Sequence, residues 1–347
     1  LFSKTFGKSA MHDLTVIIAT HNRASELEKT LAAMLNVRCE NLSVQFVIVN
    51  SNGSDATADV IKEFKAKLPI TYLYQSVPGK NAAVNLALKT TQLGELVVFT
   101  DDDVVPDKGW LEEIFEVSQR RTEYSIFGGR VDLLWPENYN KPPWIEQLST
   151  EGWAFAFQNI SDYEIEYPEY RSVCGPNFWV RRELFEAGLT FDEKIGPNPL
   201  RRIMGSESSF FFTAINRGYR ALYCPSVRVL HRVQPHLLTT KGMVQRALSN
   251  GRGGVRIREL YHTRIHKFSL RMLIARLINL FKWRALSILT SFIPDKNRRI
   301  LTKITAFRGI GWNEETIRIL LEKKHNSASI SDTNSNRNNT GGLGHSH

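Results

Sequence analysis

An α/β architecture on an open, mostly parallel sheet is predicted by three observations. Four short apolar runs lack the polar alternation of a half-exposed strand, helical repeats separate them, and three of the runs end in polar clusters. Strands covered on both faces need no polar side, and successive parallel strands need helical crossovers between them.

The first run, Leu14 to Ala19, ends in Thr20-His21-Asn22-Arg23. Leu27, Leu31, Met34 and Leu35 follow at helical spacing behind Ser25, the predicted N-cap, with Glu28 three residues on. The second run, Val44 to Val49, ends in Asn50-Ser51-Asn52-Gly53-Ser54-Asp55, a turn cluster ahead of Val60, Ile61 and Phe64. A third, Ile70 to Tyr74, precedes Pro78-Gly79 and the apolar positions Ala82, Ala83, Leu86 and Ala87. The fourth, Leu96 to Thr100, runs straight into Asp101-Asp102-Asp103. Ligands of such sheets lie beyond the carboxyl ends of the strands, so the clusters around Asn22, Asn50 and Asp101 mark one candidate site. After Arg130 the pattern is less regular and richer in Trp and Pro, which predicts longer loops and mixed strands forming the other wall.

The 347 residues suit about two domains, or one α/β domain with an extension. Five parts are read: 1–10, an upstream extension or expression remnant; 11–130 and 131–240, the two halves of the sheet domain; 241–324, a basic helical extension; and 325–347, a Ser-, Asn- and Thr-rich tail predicted to be disordered. Residues 241–324 carry 19 Lys+Arg against 5 Asp+Glu, a net +14 out of +10 for the whole chain, so the rest is acidic. Within that extension, 267–293 interleaves Arg271, Arg276, Lys282 and Arg284 with a broad apolar face. The pattern predicts a basic amphipathic helix, broken in two, lying on the body or on an anionic membrane surface. No uncharged apolar stretch of about 18 residues and no signal-peptide pattern is present, so a cytoplasmic protein is predicted, with 267–293 as its peripheral contact to the inner face of the cell membrane. Cys39, Cys174 and Cys224 have no metal-ligand spacing, and their odd number argues for a reducing compartment.

Three consecutive carboxylates after an apolar strand repel one another unless a cation offsets them. Hard divalent cations such as Mg²⁺ and Mn²⁺ take carboxylate oxygens and complete their shell with a diphosphate, while a capped helix start would use the same residues without any metal.

The series Val16-Ile-Ile-Ala-Thr-His-Asn-Arg23, Val47-Ile-Val-Asn-Ser-Asn-Gly-Ser-Asp-Ala-Thr57, Pro78-Gly-Lys-Asn-Ala-Ala-Val-Asn-Leu-Ala-Leu88 and Val97-Val-Phe-Thr-Asp-Asp-Asp-Val-Val-Pro106 resembles the family-two inverting glycosyltransferases of the GT-A fold. The resemblance continues through Cys174-Gly-Pro-Asn-Phe-Trp-Val-Arg-Arg-Glu-Leu-Phe185, Phe191-Asp-Glu193, Gly205-Ser-Glu-Ser208 and Val229-Leu-His231, and covers about residues 13–232. It implies that 11–130 binds a nucleotide-sugar donor and that 131–240 faces the acceptor. Thr20, Asn22 and Arg23 would border the base with Ser51 and Asn52, and Lys80 and Asn81 would lie at the nucleotide edge. Asp101 and Asp102 would face the donor, while Asp103, Asp101 and His231 would hold Mn²⁺ or Mg²⁺. Glu207 would be the general base, and Asn177 and Trp153 would contact the acceptor.

Two departures stand out: relatives usually place Asp where Glu207 stands, and an acidic residue where Ser51 stands. UDP-sugar remains the favoured donor, and a polysaccharide or lipid-linked glycan the acceptor. The Q-x-x-R-W motif of processive synthases is missing, which favours transfer of a single sugar. A nucleotidyltransferase-like enzyme is the alternative within catalysis, though Thr20-His21-Asn22-Arg23 is no Gly-rich phosphate loop. The other alternative is a non-catalytic protein that binds anionic surfaces through 241–324. The mixing of cations with Leu, Ile, Phe and Trp suits lipid headgroups better than a duplex, so no nucleic acid is expected as a partner.

Overall fold

Three successive crossovers lay down one end of the sheet: β1 (Leu14–Thr20), α1 (Ala24–Met34), β2 (Val44–Ser51), α2 (Thr57–Phe64), β3 (Ile70–Gln75), α3 (Lys80–Thr90) and β4 (Leu96–Thr100). The computed structural model describes residues 12–197, 201–261 and 268–339; the predicted extension 1–10 and the last residues of the tail, 340–347, lie outside the described residues. Contacts divide the chain into two units, Leu1–Met243 and Val244–His347.

In the first unit β3, β2, β1 and β4 are parallel neighbours in that order. Every residue of β2 and β4 is buried, as their unbroken apolar runs require. Side chains alternate between two cores: Leu14, Val16 and Ile18 join Leu27, Leu31 and Trp110 on one face, while Ile17 joins Ala83, Phe99 and Phe178 on the other. Local capping differs from the expected Ser25 cap. Helix α1 starts at Ala24, takes no cap from Ser25, and donates the Ala24 N–H to Asp55 of the next crossover at 2.8 Å. Leu35 falls just past the helix end and is exposed.

The chain then adds β5 (Val104–Pro106), α4 (Trp110–Arg120), β6 (Ile126–Leu134), α5 (Pro143–Leu148), α6 (Gly152–Phe155), β7 (Ile165–Glu166), β8 (Phe178–Arg181), α7 (Glu183–Glu186), α8 (Ser206–Asn216) and β9 (Ala221–Arg232). The sheet continues past β4 as β8, β6, β9 and β5, with β7 also on β9, and this half mixes parallel and antiparallel pairs. Trp144 and Phe155, in the aromatic stretch of this half, belong to the core.

One irregularity sets the geometry of the site. The register of β6 against β9 jumps between Gly129↔Cys224 and Arg130↔Arg228, so β9 carries three extra residues there. Arg130 and Val227 offer their carbonyls to the side-chain amide of Asn177, each at 2.9 Å, and Asn177 Oδ1 accepts from Trp110 Nε1 at 3.0 Å. Asn177, expected on the acceptor side, is fully buried and clamps the bulge. Beyond the bulge, β9 pairs with β5 and sets His231 opposite Val104, the residue after Asp103.

The second unit is helical: most of α9 (Thr240–Tyr261), with α10 (Leu270–Leu289) and α11 (Lys296–Asn339). α9 and α11 approach closely at Gly251 and Gly311, where a Cβ would fall 2.1 Å from the Arg308 and Leu248 carbonyl oxygens. Arg256 pairs with the buried carboxylate of Glu315 at 2.7 Å. Two expectations fail here. α10 is a single unbroken helix followed by a 3-10 turn at Thr290–Phe292, and α11 runs on past His325 to Asn339. Once a helix is nucleated by packed residues, each further residue adds a hydrogen bond at little cost, so polar composition alone does not end it. No helix among the described residues is long and apolar enough to cross a membrane.

Replacing Asn177 with Ala should orphan a buried indole N–H and two buried carbonyls. A loss of about 2–4 kcal/mol is expected, read as a lower thermal midpoint in ligand-free protein.

Candidate active site

The polar clusters meet at the carboxyl end of β1, β2 and β4. Asp101, Asp102 and Asp103 follow β4 directly, and a buried strand ending in three acids draws its counter-charges from distant segments. Arg23, at the end of the β1–α1 loop, bridges two of them, with Nη1 2.7 Å from Asp102 Oδ1 and Nη2 2.7 Å from Asp103 Oδ2. Thr20 donates its hydroxyl to Asp102 Oδ2 at 2.7 Å, and Gln234 donates to Asp103 Oδ2 at 3.2 Å. Lys80, the first residue of α3, reaches Asp101 Oδ1 at 2.7 Å and Glu207 Oε1 at 2.9 Å. His231 Nδ1 lies 2.9 Å from the Phe155 carbonyl, which turns Nε2 toward Asp103 Oδ1 at 3.2 Å.

Protonation follows from this arrangement. Burial lifts Asp102 above the usual carboxylate range despite Arg23. Burial presses Asp103 the same way, but His231 and Arg23 outweigh it and hold Asp103 well below that range. Burial disfavours charge on His231, Lys80 and Arg23 too, and the facing carboxylates reverse it, so all three pKa values are raised.

Asp101, Asp103 and His231 each present a ligand atom, and these atoms lie within 4.8 Å of one another. Asp103 Oδ1 is buried and accepts no aligned hydrogen bond, which leaves a lone pair for a cation. Two carboxylates and an imidazole suit a divalent ion of the Mn²⁺ type, so the residues present fit a metal.

The other expected residues divide into two groups. Asn22 and Asn52 stand exposed in left-handed conformations, φ 51° and 54°, with Asn22 Oδ1 accepting from the Ser54 N–H and Asn52 Oδ1 from the Tyr74 hydroxyl. Trp153, on α6, is half-buried. Four expected donor-side residues are committed to partners within the protein. Asp102 is buried with both carboxylate oxygens engaged, so it supports the loop. Thr20, equally buried, serves Asp102. Ser51 is buried and exchanges hydrogen bonds with the backbone of Gly79. Asn81 is buried as well, and its amide holds the Asp192 and Ile195 carbonyls. Asp102 and Thr20 bond to other side chains, while Ser51 and Asn81, short polar groups at a strand end and a helix start, take the backbone of a neighbouring loop.

Two site residues, Gln234 and Arg202, lay outside the expected set, while His21 belongs to the expected 20–23 loop. Gln234 touches Asp103 and also donates to Glu26 Oε2 at 3.4 Å. Arg202 lies within the electrostatic reach of Asp101 and Glu207. His21 Nδ1 donates to the Ser51 carbonyl at 2.6 Å, tying the first two strand ends together. Only the Arg201-Arg202 pair just before Gly205-Ser206-Glu207 offered a signal in the sequence.

Comparison with known proteins agrees with this layout. "Probable glycosyltransferase YdaM" of Bacillus subtilis (strain 168) is 29% identical over 218 residues, 61% of this chain and 49% of the relative. "Glycosyltransferase AglE" of Haloferax volcanii is 22% identical over 233 residues, 65% of this chain and 69% of the relative. The chain therefore spans about half the length of the first of these relatives. Among solved structures, the mannosyltransferase PcManGT from Pyrobaculum calidifontis, in complex with GDP-Man and Mn²⁺, superposes with a TM-score of 0.53 at 17% identity, over 87% of this chain and 86% of that one. The shared architecture is the GT-A fold. A family model described as "Glycosyl transferase family 2" matches residues 15–189, which takes in β1 to β8, the three acids and Lys80, and the chain belongs to that family.

Proposed function

We propose that this protein is a metal-dependent, inverting glycosyltransferase. It moves one sugar from a nucleoside-diphosphate sugar, UDP-sugar before others, to a hydroxyl of a polysaccharide or lipid-linked glycan. The acceptor is presented at the inner face of a membrane, with 267–293 as the peripheral contact. The observation that carries the reading is the Lys80 bridge, which sets the Glu207 carboxylate across one ammonium from Asp101, so a base and a cation cluster share one strand edge.

Asp101, Asp103 and His231 would hold Mn²⁺ or Mg²⁺. When bound, such an ion supplies positive charge where the departing diphosphate gathers negative charge. Arg23 keeps Asp103 ionised and oriented for that role, and Arg202 adds a second cation near the same edge. Glu207 takes the proton of the attacking acceptor hydroxyl, and the Lys80 ammonium holds its carboxylate in place. A base on the face opposite the leaving group produces a single displacement with inversion at the anomeric carbon. Gly175 makes room for this base, since a Cβ there would lie 2.5 Å from Glu207 Oε1. With Ser51 turned to Gly79, the exposed polar groups at the base end are His21, Asn22 and Asn52. Selection of uracil rests on these groups, and the GDP-Man complex of the Pyrobaculum protein makes GDP the first alternative.

Thermal melts with UDP, GDP, dTDP and CMP, each with and without Mn²⁺, should show one diphosphate raising the midpoint by a few degrees only with metal. The shift should vanish in Asp103→Ala. Glu207→Gln should keep the shift while kcat falls about 10²–10⁴-fold, and normal turnover by this variant would remove Glu207 from its role. Gly175→Ala, which pushes the same carboxylate aside, should bind donor like wild type and lose roughly tenfold or more in kcat, measured by nucleotide release.

A further inference from the structure

Helix α10 carries a stripe of exposed apolar residues on the side away from its packing partner. Its inner side meets α11 through Trp283, whose ring lies where a Cβ on Gly309 would stand, 2.4 Å from Trp283 Cδ2, and through Arg284, which reaches Glu314 at 3.2 Å. No residue of α10 is buried. On the opposite side Leu270, Ile274, Leu277, Ile278, Phe281 and Ile288 are exposed, Phe281 by 75%. At 100° per residue these six occupy an arc of roughly 100°, opposite Trp283. Phe292, 78% exposed in the turn that follows, extends the surface. Arg271 and Lys282 flank one edge of the arc and Arg284 the other, and all three are exposed.

We infer that this stripe is a lipid-binding surface specific for anionic bilayers, with α10 lying in the plane of the headgroups. The inference sharpens the peripheral contact proposed above and rests on that reading. Residues of this size left in water in one continuous stripe mark an interaction site. The cations beside the arc choose the partner. Arg271 and Lys282 are exposed along one edge, so acyl chains meet the arc while anionic headgroups meet these two, and Arg284 on the other edge is paired with Glu314. A second copy of the helix seated antiparallel on the same stripe would instead bring Arg271 and Lys282 against their own copies. The surrounding segment has the same sign, since 241–324 carries a net +14. α10 is too polar to span a bilayer, so it lies on one.

The test is flotation of the full chain with vesicles of phosphatidylcholine alone and of phosphatidylcholine mixed with phosphatidylglycerol, at low and high salt. Wild type should float with the anionic vesicles only, and less at high salt. The double variant Ile278→Glu/Phe281→Glu should melt like wild type, keep the nucleotide-dependent shift, and lose roughly tenfold or more in vesicle partitioning. The inference is overturned if wild type stays unbound with anionic vesicles, if the variant floats equally well, or if light scattering shows a dimer that the variant dissociates while neither form floats. Flotation by a protein that transfers no sugar to a soluble acceptor would uphold this surface and remove the catalytic reading; transfer without flotation would do the reverse.

Discussion

Three adjacent carboxylates at the end of a strand buried on both faces are the constraint on which the site depends. Water cannot solvate Asp102 and Asp103, which are both buried, so the fold supplies their partners from elsewhere in the chain. Arg23 comes from the end of the first strand, Lys80 from the start of the third helix and His231 from the end of the last strand. The acids fall into two kinds. Asp102 is fully committed to Thr20 and Arg23 and braces the loop, while Asp103 retains one buried oxygen without an aligned donor. That leftover oxygen lies beside His231 Nε2, in a group of ligand atoms that could hold a cation.

The backbone makes the same arrangement possible at a distance. Were β9 to run in even register beside β6, His231 would be carried three residues away from the end of β4. The bulge shifts it back, and Asn177 stabilises the bulge by taking the Arg130 and Val227 carbonyls while Trp110 supplies a donor to its oxygen. A single buried amide thus couples the core to the placement of His231 beside Asp103. Glu207 is placed by a different device, the first turn of α8 beside Gly175, whose missing Cβ leaves the carboxylate free to meet Lys80.

The helical unit obeys the rule in one place and breaks it in another. Its buried Glu315 is paired with Arg256, as low dielectric demands. Its large apolar side chains on α10 stay in water. Folding of the unit leaves that stripe unsatisfied, so an external apolar phase is its natural complement.

Composition and periodicity made the four parallel strands, their order of appearance and the acidic strand end legible, because burial on both faces leaves a continuous apolar run and burial of a cluster of acids requires counter-charge. The resemblance to family-two glycosyltransferases also pointed to Asp101, Asp103, His231, Lys80 and Glu207, which the structure brings together. It did not show that Asn177, Ser51 and Asn81 hold neighbouring backbone or that Thr20 holds the Asp102 carboxylate, and it missed Gln234 and Arg202, which reach the site only after the chain has folded back. By itself the sequence determined which segments are buried and which carry charge, since both follow from local side-chain chemistry. Only the tertiary structure decided which polar group meets which partner, and whether an apolar helix face is covered, because those depend on register and approach between residues far apart in the chain.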